Sequence, residues 1–138
     1  MLEVIPTVPW LAGDYPIVVA ELRSASKELE RLLSESERNE LIDFLAFHPE
    51  GGDVMPCTGG VRKARWPFRD KGKSKGLRVI YYFHDLNMPL YILAVYSKGE
   101  ILRPTKREEK DMRQLVKTLV RINAERTAAI MAEWNNSA

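Results

Sequence analysis

The 138-residue chain has one cysteine, Cys57, and two histidines, His48 and His84. A lone cysteine excludes an internal disulfide and suits a reducing compartment. The histidines stand apart from each other and from Cys57, without the ligand spacing of a metal site, so neither metal nor cofactor is expected. A Walker phosphate loop, a dinucleotide-type glycine signature and a nucleophile elbow are also missing, which argues against nucleotide-dependent and triad chemistry. No window approaches the roughly 18 apolar residues that span a bilayer, and Met1 to Pro6 carry no basic leader. The expectation is a soluble, cytoplasmic protein with no membrane partner. Internal repeats are absent, and the length predicts one domain over residues 1–138 with its own core.

Against these absences stands one concentration. Residues 1–57 carry 4 basic and 11 acidic side chains (net −7), residues 58–107 carry 12 and 3 (net +9), and residues 108–138 carry 5 of each. A formal charge of only +2 therefore conceals a cationic middle third. Within it, Arg62 to Arg78 holds eight lysines or arginines against the single Asp70. Segregation of this kind is the electrostatic footprint of a phosphate-rich partner.

Periodicity places that charge on structure. The apolar run Leu2 to Ile5 predicts an N-terminal edge strand. From about Pro16, the spacing of Val18, Leu22, Ala25, Leu29 and Leu32 predicts an amphipathic helix. Ser34 and Glu37 form a capping box for a second helix that ends before Pro49. The period then changes to two over Arg62–Phe68, Arg78–His84 and Leu90–Ser97, predicting an antiparallel meander. Arg69 to Gly76 reads as a lysine- and glycine-rich hairpin loop. Thr105 and Glu108 form another capping box, ahead of the stripe Met112, Leu115, Val116, Leu119 and Ile122, and the pattern resumes at Ile130, Met131 and Trp134. The predicted fold is α+β: a meander plus the N-terminal strand, packed with two N-terminal helices and one C-terminal helix. One sheet face is expected to stay open as a functional surface.

On strands, every second side chain shares a face, so Lys63 projects with Arg65, Arg78 with Ile80 and Tyr82, and Tyr96 with Lys98. Cations interleaved with tyrosines suit phosphate binding and base stacking. Metal-independent RNA cleavage needs a base for the ribose 2′-OH, stabilisation of charge on the phosphate, and a proton for the departing 5′ oxygen. Arginine suits the second task through its planar, permanently charged fork. Lysine and tyrosine are candidates for the proton transfers.

The strings Thr58–Arg65, Lys71–Phe83 and Tyr91–Glu100 together resemble the RelE/ParE superfamily of toxins from bacterial type II toxin–antitoxin modules, in its HigB-like branch. The likeness spans roughly residues 34 to 120. It implies a RelE-like domain with a C-terminal helical extension from about residue 121, acting as an endoribonuclease (mRNA interferase) that cuts messenger RNA on the ribosome and inhibits translation. A cognate antitoxin, often a helix-turn-helix protein, is the implied protein partner. By position, the resemblance makes Lys63 and Arg65 the basic pair of the first meander strand, Arg78 the phosphate-binding arginine, and Lys98 the basic residue after the last strand. Tyr82 and Tyr96 become stacking or proton-transfer residues, while Arg62, Arg69, Lys71, Lys73, Lys75 and Arg103 become RNA- or ribosome-binding. The family's usual histidine or aromatic after the last strand has no counterpart between Ser97 and Arg103, leaving the general acid and base unassigned. Two alternatives remain open: a ParE-like gyrase-inhibiting toxin, and an RNA-binding module without activity.

Overall fold

The predicted first helix begins later than its apolar spacing suggests. A computed structural model of the protein describes residues 16–67, 76–97 and 103–137. In it, Val19–Glu21 forms strand β1, and helix α1 occupies Arg23–Leu32. Ile17, Val18 and Val19 are β-branched and favour extended backbone. Tertiary pairing then decides the matter: the Leu90 N–H donates to Val18 O (2.9 Å) and the Leu22 N–H to Ile92 O (3.0 Å). Leu22, still extended, starts α1 without a side-chain cap. The strand expected at Leu2–Ile5 lies outside the described residues.

Helix α2 spans Glu35–Phe47, opened by the predicted Ser34/Glu37 capping box and ended at His48. Four strands follow it: β2 (Asp53–Val54), β3 (Arg62–Pro67), β4 (Gly76–Tyr82) and β5 (Leu90–Ser97). The chain closes with α3, Lys106–Ser137, entered through the predicted Thr105/Glu108 box. The fold is α+β, but the sheet is more than a meander. Its order is β1-β5-β4-β3-β2, with β1 parallel to β5 and the other pairs antiparallel.

The two sheet faces bury different cores. Leu77, Val79 and Tyr81 of β4, with Ala64, Leu90, Ile92 and Val95, pack against Ala25 and Leu29 of α1 and Leu41 and Leu45 of α2. Leu29, Leu41 and Leu45 have no exposed surface, and burial of each stabilises the fold by about 2 kcal/mol. The helical layer is further tied to β1 where Arg38 donates to Glu21 and, at 2.9 Å, to Ser26 Oγ. Tyr81 runs through this core to the α2–β2 connection, donating to Pro49 O (2.9 Å) and accepting from the Gly52 N–H (2.8 Å). A Cβ at Gly52 would stand 2.9 Å from both Lys63 O and the Tyr81 hydroxyl, so that close approach requires glycine.

The opposite face is not left open as expected. Met112, Leu115, Val116, Leu119 and Val120 of α3 cover Met55, Val61, Ile80, Tyr82 and Leu93. A helix of 32 residues is about 48 Å long, longer than the sheet it crosses. Asn123 marks where contact ends, donating to Tyr91 Oη (3.1 Å) and to Leu119 O (2.9 Å). Beyond it Ile130 and Trp134 are 64% and 66% exposed, so the C-terminal turns stand clear of the body. Among the described residues no helix is long and apolar enough to cross a membrane.

One irregularity matters for function. Ile80 pairs with Ala94, but the next residue, Tyr81, pairs with Ile92, so Leu93 is an extra residue in β5. A bulge of this kind resets the alternation of side chains. Leu90 and Ile92 face the α1/α2 core, yet Tyr96 faces the α3 side, where strict alternation from Ile92 would have put it with α1 and α2.

Candidate functional site

The reset alternation completes a polar row. On the α3 side of the sheet, Arg65 of β3 is directly opposite Arg78 of β4, which is directly opposite Tyr96 of β5. One step along, Lys63 is opposite Ile80. Like charges facing each other across a ladder are destabilising, so two arginines in register are not explained by packing. Departures from local folding rules of this kind concentrate at functional sites.

Where α3 begins, it leaves a solvent-open concavity over this row. Its floor is apolar, from Met55, Ile80 and Met112, and its walls carry Lys63, Arg78, Tyr96, Arg103 and Glu108. Among the described residues, three cations and one carboxylate thus line the same concavity. Arg78 is half-buried, and its Nη1 is fully shielded from solvent with no hydrogen-bond partner among the described residues. A buried guanidinium N–H left unpaired costs about 1–3 kcal/mol, and the half-buried remainder of the Arg78 side chain lines the concavity. Arg65 is exposed just beside the cavity, supplying a second fork along the same row.

Lys63, Arg65, Arg78, Tyr96 and Arg103 are therefore brought together. Arg62 is not. It lies on the other face of β3, donating to Gly52 O (2.8 Å) and Glu50 O (3.2 Å), where it holds the α2–β2 connection. Tyr82 shares the sheet face of Arg78 but sits under the β2–β3 loop, with its ring 3.4 Å from where a Cβ of Gly60 would be. Its hydroxyl is 2.7 Å from His84 Nδ1. Burial, and secondarily the charge of Asp85, holds the Tyr82 phenol above the usual tyrosine range, which disfavours it as a proton acceptor. Lys98 and the loop cations Arg69, Lys71, Lys73 and Lys75 lie outside the described residues.

Sequence reasoning missed one charged member of the cavity, Glu108. Its place in a capping box accounted for it locally, and only the packing of α3 across the sheet carries it to the cations. The β2–β3 loop that bounds this region is fixed from within. Thr58, fully buried, donates to Met55 O (2.7 Å) and accepts from the Val61 N–H (3.0 Å), while Gly60 takes φ of +106°, a conformation side-chain-bearing residues rarely adopt. Arg113 of α3 donates to Cys57 O and docks the helix on that loop. No protein-family model matches this sequence.

Proposed function

We propose that this protein is a RelE/ParE-type toxin of a type II toxin–antitoxin module, a metal-independent endoribonuclease that cuts messenger RNA on the ribosome. The observation that carries the reading is the convergence of Lys63, Arg78, Arg103 and Tyr96 on one concavity, with Arg65 in register beside Arg78. A scissile phosphate seated there meets the Arg78 fork, with Arg65 next along the row. Both forks stay charged and match the equatorial oxygens of a pentacoordinate phosphate, where charge develops during the reaction. The Lys63 ammonium is the proton donor for the departing 5′ oxygen. The Tyr96 ring offers a face on which a nucleobase can stack, and the apolar floor excludes water from beneath it. In this reading the cationic loop grips nucleic-acid backbone, a cognate antitoxin covers the cavity in resting cells, and the protein works in the cytoplasm.

The test is induction in a bacterium of the wild type and of an Arg65→Ala/Arg78→Ala double variant, with RNA 5′ ends mapped genome-wide. Cuts in frame within translated messages, present only with the wild type, are expected. Growth arrest with DNA damage and intact messages would replace this reading with gyrase inhibition. Absence of arrest would leave an RNA-binding module without cleavage.

A further inference from the structure

A cavity that binds phosphate through three cations still needs a group to take the 2′-OH proton, and the proposed function leaves that group unassigned. We infer that Glu108 is the proton acceptor, a catalytic residue delivered from α3; this inference rests on the ribonuclease reading above. Glu108 supplies the cavity's sole carboxylate among the described lining residues, and it stands on a different element from every cation there. Lining the same concavity are Lys63 from β3, Arg78 from β4, Tyr96 from β5 and Arg103 from the segment before α3, with Glu108 itself exposed at its rim. It makes no ion pair with any of them among the described residues. A carboxylate and three cations that share one concavity without neutralising each other leave room for a substrate group between them.

The side chain is also held. Its Oε1 accepts from the Thr105 N–H at 2.8 Å, and its own N–H donates to Thr105 Oγ1 at 3.1 Å. The second oxygen, Oε2, has no partner among the described residues. One carboxylate oxygen is thus used for orientation, and the other is available for chemistry. In the reaction, Glu108 takes the 2′-OH proton as the 2′ oxygen bonds to phosphorus, the bond from phosphorus to the 5′ oxygen breaks, and the Lys63 ammonium protonates that oxygen. The products are a 2′,3′-cyclic phosphate and a 5′-hydroxyl. Solvent then removes the proton from Glu108 and restores the one on Lys63.

The capping box makes the test clean, because glutamine at this position preserves the cap while removing the basic oxygen. Glu108→Gln and, as a structural control, Thr105→Ala are assayed in the full-length protein under single turnover. The substrate is a short defined messenger RNA on purified bacterial ribosomes. Glu108→Gln is expected to lose at least about 100-fold in cleavage rate, the ordinary contribution of a positioned base. Its affinity for the same RNA stays equal or increases, since a negative charge has left a phosphate site. The inference is overturned if Glu108→Gln cleaves within about threefold of wild type, or if Thr105→Ala loses as much as Glu108→Gln. A wild type that cuts no RNA would instead sink the parent reading.

Discussion

Replacing Arg78 with methionine should make the protein more stable while removing the phosphate contact proposed for it. The side chain keeps an unbranched apolar stem of similar reach, in a concavity already lined by the apolar Ile80 and Met112. Two unfavourable contributions disappear. The shielded Nη1 has no partner, a cost of about 1–3 kcal/mol, and the register opposite Arg65 places like charges across the ladder, at about 0.2–1 kcal/mol. The net expectation is stabilisation of about 2 kcal/mol, or a rise in Tm of roughly 6–8 °C for a domain of this size. Urea unfolding followed by circular dichroism measures it, with the midpoint rising and the slope unchanged. A companion measurement links the gain to anion binding. At matched ionic strength, phosphate in place of chloride should raise the wild-type midpoint more than that of Arg78→Met. A variant that is less stable than wild type would refute the reasoning, because Arg78 would then be held by structural partners and the cavity would owe its arginine to the fold.

Other outcomes follow from the same contacts. Tyr81→Phe removes a hydroxyl that serves both Pro49 O and the Gly52 N–H and should cost about 1–3 kcal/mol in urea unfolding; a loss under about 0.5 kcal/mol would show those groups satisfied otherwise. Burial chiefly raises the Tyr81 phenol above its ordinary 10.0, so the folded state holds that proton more tightly than the unfolded chain does. Stability attributable to Tyr81 is therefore intact below about pH 10 and is lost as pH rises through the folded-state value, and Tyr81→Phe should flatten that alkaline decline. Truncation after Ala124 removes turns that are almost wholly exposed, so Tm should move by no more than about 2 °C while helical ellipticity falls; failure to fold would place the tail in the core.

Local chemistry was the readable part of this fold. Both capping boxes depend on residues three apart, and both are present at Ser34/Glu37 and Thr105/Glu108. Alternation grouped Lys63 with Arg65 on β3 and Arg78 with Ile80 and Tyr82 on β4, and the register of the two strands brings these sets to one face. Features set by distant partners were not readable. Val18 to Leu22 fits a helical stripe as well as a strand, and the open edge of β5, some seventy residues downstream, decides for the strand. The extra residue at Leu93 carries no sequence signal of its own, yet it is what turns Tyr96 toward Arg78. A stripe on α3 predicts an apolar face but not which side of the sheet receives it. The covered face, and with it the position of Glu108, emerged only from packing.

The chemistry of the cut ends tests the central claim most directly. Messenger RNA on purified ribosomes, treated with the full-length protein, should yield fragments with 5′-hydroxyl and 2′,3′-cyclic phosphate ends, and Arg78→Met should reduce the yield at least about 100-fold although it is the more stable protein. Fragments ending in 5′-phosphate, or cleavage undiminished in Arg78→Met, would contradict the account.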